Sequence, residues 1–113
     1  MVCQEMATAA AHDLDVKVML MNNGHFGMVR QWQELFWEER YQSVEMGSSP
    51  DWVALAKSFG WNAELCDDKT QLGEAMQRTL ETPGPALLDV RVTKHENCYP
   101  MIPAGQAARD MVG

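Results

Sequence analysis

The hydrophobic positions of this chain follow two periodicities, which predict that strands and helices alternate. Two nearly continuous apolar runs, at residues 16–21 and 86–92, are typical of strands buried on both faces of a parallel sheet. Residues 61–66 form a shorter strand candidate between them. The alanine-rich residues 2–12 instead contain strong helix formers and no breaker, with apolar positions on one face. These periodicities predict a helix at the beginning of the chain and three strands after it.

Helix signals recur between the first two strand candidates. After Gly27, apolar residues return at helical spacing, so a helix is predicted to begin near this glycine. Residues 38–49 are mixed and charged, which predicts an irregular surface excursion. The Ser-Pro-Asp sequence at 49–51 is typical of an N-cap, a first-turn proline and a first-turn acid. It predicts a helix along residues 52–59 that ends at Gly60.

A last helix is predicted between the second and third strand candidates. Asp68 and Gln71 resemble a capping box ahead of apolar positions at helical spacing along residues 72–80. The Pro-Gly-Pro sequence at 83–85 ends this helix. Residues 95–113 are predicted to form an irregular C-terminal tail.

The order of these elements indicates the fold class. Strands that alternate with helices predict an α/β fold, a parallel β-sheet sandwiched by helices with right-handed crossovers. Ligands of such sheets bind beyond the carboxyl ends of the strands, which directs attention to the residues after Met21. Residues 1–113 contain no internal repeat or linker, so they are expected to belong to one domain.

Composition and charge narrow the functional classes. A chain of 113 residues with 46% hydrophobic and 22% charged residues is typical of one small globular domain, but short for a complete cofactor-dependent enzyme. The net charge of −7 opposes binding to nucleic acid or anionic lipid. No segment has the apolar length of a membrane span. The expected protein is intracellular, with no nucleic acid or membrane partner. Three widely spaced cysteines make structural zinc and a disulfide framework improbable.

The segment from Asn22 to Met28 carries the chemistry that the sequence suggests. Amide and carbonyl oxygens are neutral hard ligands suited to magnesium or calcium. Glycines allow close backbone approach to a phosphate, and a helix N-terminus contributes N–H donors. Asn-Asn-Gly is equally an ordinary turn sequence, so from these residues alone the turn and the metal–phosphate site both remain open.

The chain resembles the thiamine-diphosphate enzymes, whose cofactor motif begins with Gly-Asp-Gly and ends with Asn-Asn. Residues 18–23 match the closing half, and residues 1–9 resemble the helix that follows Gly-Asp-Gly in this family. The chain is therefore expected to begin just after the opening half. Residues 27–33, with Phe36, Arg40 and Tyr41, resemble the acetolactate (acetohydroxyacid) synthases and not the related pyruvate oxidases or glyoxylate carboligases. Similarity at residues 85–90 and 99–105 extends the resemblance along essentially the whole chain.

The resemblance implies a fold and a set of cofactor ligands. Residues 1–113 would be the C-terminal part of one thiamine-diphosphate-binding domain, with a Rossmann-like three-layer fold. The side-chain oxygen of Asn23 and the main-chain oxygen of His25 would bind Mg²⁺. His25 would thus act through its backbone and not as a general base. The residues expected to contact the cofactor are Asn23, His25, Phe26, Gly27, Met28 and Met1.

The resemblance also implies a substrate entrance formed by Met28, Trp32 and Ala104. Met28 and Trp32 lie four residues apart and so share one helix face. The alternative for Trp32 is a core aromatic residue. We expect core positions for the other tryptophans, Trp37, Trp52 and Trp61.

The implied activity is the condensation of pyruvate with pyruvate or 2-ketobutyrate, with loss of carbon dioxide, in branched-chain amino acid biosynthesis. In the family, the glutamate that ionises the cofactor lies in another domain and active sites form between subunits. No catalytic residue is therefore expected in this chain, and the chain alone is expected to be inactive. The implied partners are the rest of the catalytic subunit and further copies in a homo-oligomer, with a regulatory small subunit left open. The expected location is cytoplasmic, or plastid or mitochondrial in a eukaryote.

Two other interpretations stay open at this point. One is another thiamine-diphosphate enzyme of the pyruvate oxidase or glyoxylate carboligase type. The other is a non-catalytic α/β binding module in which Asn-Asn-Gly at 22–24 is merely a turn.

Overall fold

A computed structural model describes residues 3–47 and 49–113 and confirms the predicted order of elements. The helices are α1 (Glu5–Ala11), α2 (Gly27–Phe36), α3 (Trp52–Ser58) and α4 (Leu72–Glu81). The strands are β1 (Lys17–Asn22), β2 (Asn62–Cys66) and β3 (Ala86–Arg91). The described residues divide into two compact units. The first unit comprises the described residues up to Asn23 and those from 49 to Val92, and it contains the sheet. The second unit comprises Gly24–Gly47 and Thr93–Gly113.

The three strands form a parallel sheet in the order β1-β3-β2, as an α/β fold requires. One face packs against α1 and α3 through the buried residues Ala9, Ala56, Trp61 and Leu87. The other face packs against α4 through the buried residues Cys66, Ala75, Leu88 and Val90. Helices therefore cover both faces of the sheet, which confirms the predicted α/β fold class.

The prediction that β1 is buried on both faces is wrong. β3 is the central strand, and its positions from Ala86 to Val90 are all buried. β1 lies at an edge of the sheet, where Met19 is 42% exposed and Met21 is 58% exposed. The two methionines are in register with Leu88 and Val90 of β3, so they extend its buried face outward. The apolar run predicted a strand correctly, but it could not distinguish an edge position from a central one.

The helix boundaries are close to those predicted, but two predicted caps differ. The N-cap of α3 is Asp51 and not Ser49, because the Asp51 carboxylate accepts a hydrogen bond of 2.8 Å from the backbone N–H of Ala54. Asp68 makes no capping box with Gln71, since its carboxylate accepts from the backbone N–H and the hydroxyl of Thr70. The predicted end of α3 is confirmed at Gly60, where φ is +84°.

The second unit contains α2, the irregular segment that follows it, and the C-terminal tail. The irregular excursion predicted at residues 38–49 is confirmed in its described part, which carries one bridge, between Glu45 and His25. The tail is less irregular than predicted, because it includes a short 3₁₀ helix at Ala108–Asp110 and a bridge between Met101 and Val112. Two backbone hydrogen bonds of 2.9 and 2.8 Å close that bridge.

Candidate functional site

The carboxyl end of β1 is fixed by a buried polar contact within the first unit. The side-chain amide of Asn22 donates to Oδ2 of Asp89 on β3 at 3.3 Å, and both residues are buried. Oδ2 of Asp89 also lies 3.6 Å from the guanidinium of Arg91. The backbone N–H of Val92 donates to the carbonyl of Asn22 at 3.1 Å. Asn23, the predicted metal ligand, directly follows this anchored strand end and is half-buried.

The second carboxylate oxygen of Asp89 indicates whether a further polar group could bind at this end of the strand. Oδ1 is buried and has no hydrogen-bond partner among the described residues. Buried carboxylate oxygens ordinarily accept hydrogen bonds, since an unsatisfied one costs desolvation free energy. The carboxyl end of the sheet is therefore chemically suited to an additional donor or cation, as the predicted cofactor site requires.

In the second unit, the loop before α2 is held by two backbone hydrogen bonds to the segment that contains Val44 and Met46. The N–H of Phe26 donates to the carbonyl of Val44, and the N–H of Met46 donates to the carbonyl of Gly24, both at 2.9 Å. Gly24 has φ of +66°, and a Cβ built on it would meet nothing within 4 Å. Nε2 of His25 lies 3.6 Å from a carboxylate oxygen of Glu45. The imidazole thus already has a structural partner on the neighbouring segment.

The N-terminus of α2 is free of the side chains that usually occupy such a position. Its N-cap is Phe26, which supplies no side-chain hydrogen bond, and its first turn contains no acidic residue. The first-turn N–H groups of a helix lack intrahelical acceptors and carry a partial positive charge. Gly27, the first helical residue, adds no side chain that would block approach to them. This arrangement suits an anion such as the predicted diphosphate.

Two residues of the predicted substrate entrance, Trp32 and Ala104, line one cavity within the second unit. Trp32 is 44% exposed and meets Phe36 edge to face, with ring centroids 6.5 Å apart. A cavity of about 540 Å³ lies against these rings. Its lining includes Trp32, Phe36, Trp37, Pro103 and Ala104. The structure therefore brings Trp32 and Ala104 to one cavity. It places the exposed side chain of Met28 on the lining of a neighbouring cavity that also includes Trp32.

The tryptophan predictions divide according to burial. Trp61 is 6% exposed and lies in the core, as expected, whereas Trp52 is only half-buried. The core alternative for Trp32 is wrong, because the ring is exposed at the cavity. Trp37 was expected in the core and is 59% exposed. It lines the same cavity as Trp32, a position that sequence reasoning missed.

Sequence reasoning also missed a buried polar cluster on α2. Arg30 is 8% exposed and Gln31 is 1% exposed, although both stand in a helix whose apolar positions were expected to make the contacts. The pairing of Arg30 with Glu34, one helical turn later, was the available signal. Partial burial and the Glu34 carboxylate raise the pKa of Tyr41, whose ring lies beneath the Arg30 guanidinium.

Some predicted site residues cannot be placed in this way. Met1, a predicted cofactor contact, lies outside the described residues. Across residues 3–47 and 49–113, no group of three or more His, Cys, Asp and Glu side chains could hold a metal ion. The predicted Mg²⁺ site relies instead on an amide and a main-chain oxygen. In the same residues, no helix has the length and apolar character needed to cross a membrane.

Comparison with known proteins identifies relatives of this chain. Among curated proteins, the chain is similar to the acetolactate synthase large subunit of Parasynechococcus marenigrum (strain WH8102), with 46% identity over 111 residues. That match covers 97% of this chain and 18% of the relative. Acetolactate synthase isozyme 2 large subunit of Escherichia coli (strain K12) is 37% identical over 96% of this chain and 20% of its own length.

A plant protein, acetolactate synthase 1, chloroplastic, of Oryza sativa subsp. japonica, is 40% identical over 96% of this chain and 18% of its own length. The chain thus spans about a fifth of the length of the curated relatives it matches. The family model for the thiamine pyrophosphate enzyme C-terminal TPP binding domain matches residues 1–90, most of the chain. The chain therefore belongs to the thiamine pyrophosphate (thiamine diphosphate) enzymes, as a C-terminal TPP-binding domain.

Proposed function

We propose that this chain is the cofactor- and acceptor-binding part of an acetolactate synthase catalytic subunit. The proposed reaction condenses pyruvate with pyruvate or 2-ketobutyrate in branched-chain amino acid biosynthesis. The observation that carries the proposal is the uncapped N-terminus of α2, which follows the carboxyl end of β1 after a short loop in a TPP-binding domain. Relatives named acetolactate synthase, at 37–46% identity, favour this activity over the pyruvate oxidase or glyoxylate carboligase type.

The residues of the loop would hold the cofactor through Mg²⁺. In this proposal the side-chain oxygen of Asn23 and the main-chain oxygen of His25 are metal ligands, as neutral hard oxygens suit Mg²⁺. The first turn of α2, from Gly27, would donate backbone N–H groups to the diphosphate, and Phe26 and Met28 would border it. When bound, thiamine diphosphate supplies the nucleophilic carbon needed for decarboxylation and carboligation of 2-ketoacids. The protein's contribution is orientation and the exclusion of water.

The aromatic cavity would select the acceptor ketoacid. Trp32 and Ala104 face one cavity whose walls are largely apolar side chains. Pyruvate and 2-ketobutyrate differ by one methylene, so the shape of an apolar wall can separate them by about 10-fold or more. In this proposal Met28 and Trp32 form the wall on α2, and Ala104 forms part of the wall on the tail.

The chain by itself would not complete the reaction. The proposed partners are the rest of the catalytic subunit, which would supply the ionising glutamate and the Gly-Asp-Gly half of the motif, and a second copy of the subunit. A regulatory small subunit is left as a further partner. We place the whole enzyme inside the cell, in the cytoplasm or, for a eukaryotic enzyme, in an organelle such as the plastid.

The metal role of Asn23 can be tested in a complete subunit. We define a chimeric subunit as the Parasynechococcus marenigrum large subunit with its matching segment replaced by this chain. We expect the chimeric subunit to bind thiamine diphosphate in a Mg²⁺-dependent manner and to form acetolactate. Asn23→Ala should weaken Mg²⁺-dependent binding in calorimetric titration by about 10-fold, because one neutral oxygen ligand is lost.

Asn62→Ala is the matched control, since Asn62 is an exposed asparagine on β2 in the other half of the sheet. Cofactor affinity that is unchanged by Asn23→Ala, with circular dichroism showing an intact fold, would contradict the proposed site and favour a simple turn. Acetolactate formation by the purified 113-residue chain alone would contradict the proposed need for the rest of the subunit.

A further inference from the structure

We propose that Gln31 is a positioning residue that fixes the C-terminal tail against α2 and thereby sets which ketoacid the aromatic cavity accepts. This inference rests on the proposed function, but it concerns a side chain that lies outside the cavity lining. Its basis is a set of partly buried hydrogen bonds between α2 and residues 95–101, all within the second unit.

Gln31 joins the tail through both ends of its side-chain amide. Oε1 accepts a hydrogen bond of 2.8 Å from the backbone N–H of Cys98, and Nε2 donates one of 2.9 Å to the Cys98 carbonyl. This pair of bonds, which we call the Gln31 clamp, imitates the pairing of two backbone residues in a sheet. With the side chain 1% exposed, water has little access to compete for these bonds. The clamp therefore holds one tail residue in both position and rotation.

A charged group next to the clamp holds the same part of the tail. The Arg30 guanidinium donates to Glu34 at 2.6 Å and to the side-chain oxygen of Asn97 at 3.1 Å. The Asn97 amide in turn donates to the other Glu34 oxygen at 2.9 Å. These three side chains close a ring of charge-assisted hydrogen bonds, which are stronger than neutral ones. Asn97 and Cys98 are thus attached to α2 by adjacent helical residues.

The attachment lies close to the cavity along both elements. On α2, the residue after Gln31 is Trp32, which lines the cavity. On the tail, Nε2 of Gln31 also lies 3.5 Å from the sulfur of Met101, which comes three residues before Ala104. Met101 is itself fixed to Val112 by the bridge at the end of the tail. The clamp therefore determines the spacing between the α2 wall and the tail wall.

Acceptor selection should be sensitive to that spacing. The acceptors differ by one methylene, and discrimination of this size depends on apolar walls held within a fraction of an ångström. The side chain of Gln31 bonds to the tail and is not among the residues that line the cavity. A change at Gln31 should consequently alter the choice of acceptor more than it alters cofactor binding.

Gln31→Met in the chimeric subunit tests the clamp, because methionine keeps the length of the side chain and removes both hydrogen bonds. We expect the ratio of acetohydroxybutyrate to acetolactate, at fixed pyruvate and 2-ketobutyrate, to fall at least fivefold. The affinity for thiamine diphosphate should stay within twofold. Gln77→Met, at an exposed glutamine of α4, is the matched control and should leave the ratio unchanged.

A charge exchange between Arg30 and Glu34 tests their hydrogen-bonded ring with Asn97. It uses three variants, so the result does not depend on whether a single variant folds. Arg30→Glu and Glu34→Arg singly place like charges one turn apart, and each should lower the product ratio. The double variant restores an ion pair. The Asn97 side chain can hydrogen-bond to both exchanged residues once its amide oxygen and nitrogen swap places. We expect the double variant to recover the ratio to within twofold of the parent.

The outcomes separate this inference from the function on which it rests. A chimeric subunit that forms no acetolactate overturns the proposed function and this inference together. A subunit that is active and loses acceptor preference with Trp32→Phe, yet keeps it with Gln31→Met, overturns the inference alone. Failure of the double charge exchange to recover the ratio, where the singles have lowered it, also counts against the positioning role.

Discussion

Asp89 is the buried carboxylate on which the carboxyl end of the sheet depends. One of its oxygens is paired with Asn22 and Arg91, and the other has no partner in the described part of the chain. A residue of this kind is tolerated in a central strand only while its remaining contacts are kept. Asn22 thus has a structural role beside Asn23, the proposed metal ligand.

Asn22→Leu should lower the free energy of unfolding by about 1–3 kcal/mol, because it removes a donor to the buried Asp89 carboxylate. Urea denaturation of the 113-residue chain, followed by far-ultraviolet circular dichroism, measures the change. Asn62→Leu on exposed β2 surface is the control and should change stability by less than about 0.5 kcal/mol. Equal effects of the two substitutions would contradict a special role for the Asn22–Asp89 contact.

At the scale of elements, periodicity located each helix and strand, whereas the caps depended on geometry that the sequence left ambiguous. Ser49 and Asp51 are both good N-cap residues, and only the structure assigns the cap to Asp51. Asp68 has the spacing of a capping box but forms a local turn with Thr70, after which α4 begins at Leu72. Short polar side chains have several backbone donors within reach, so spacing alone does not select one.

The turn before α4 predicts a pH dependence. Hydrogen bonds from the backbone N–H and the hydroxyl of Thr70 hold the pKa of Asp68 below its ordinary value. The folded state therefore favours the carboxylate, and its contribution to stability is fully present above the unfolded pKa, near pH 4. That contribution is lost as the pH falls through the lower, folded pKa.

Asp68→Asn should consequently flatten the acid limb of the stability profile below about pH 4, with little change in its shape near neutrality. Denaturation series from pH 2 to pH 7 on the parent and the variant provide the comparison. Asp67→Asn, at the adjacent exposed aspartate, is the control. An acid limb that is unchanged by Asp68→Asn would show that the Thr70 contacts do not depress the pKa.

At the scale of the whole molecule, the edge position of β1 leaves apolar surface exposed on this chain. Met19 and Met21 continue the face formed by Leu88 and Val90, and the backbone of an edge strand offers unpaired hydrogen-bonding groups. Exposed apolar strand edges of this kind promote association. We expect a second copy of the chain to cover this surface when the chain is purified alone.

Sedimentation velocity of the 113-residue chain should therefore show dimers or larger assemblies. Introducing Met19→Lys with Met21→Lys should shift the distribution toward monomer, because charged side chains on an edge strand oppose pairing. Lysine substitutions at two exposed glutamines, Gln71→Lys and Gln77→Lys, add the same net charge and are the control. A monodisperse parent monomer would contradict the expectation.

The fold class and the order of elements followed from the sequence because hydrophobic periodicity is a local property. Each apolar run or helical repeat is contained within a few residues, so the strands near residues 17–22 and 86–91 were located without knowledge of their neighbours. The candidate site was less accessible to this reasoning. Composition allowed either a turn or a metal–phosphate loop at Asn22 to Met28, and only the family resemblance favours the metal–phosphate loop.

By itself, the sequence determined the α/β alternation and the motif residues that belong to a TPP-binding domain. Only the tertiary structure decided that β1 is an edge strand, that Trp37 lines a cavity, and that Gln31 is buried against Cys98. The physical reason is that burial and pairing depend on residues that are distant in the chain. Gln31 and Cys98 stand 67 residues apart, and no local pattern carries information about such a contact.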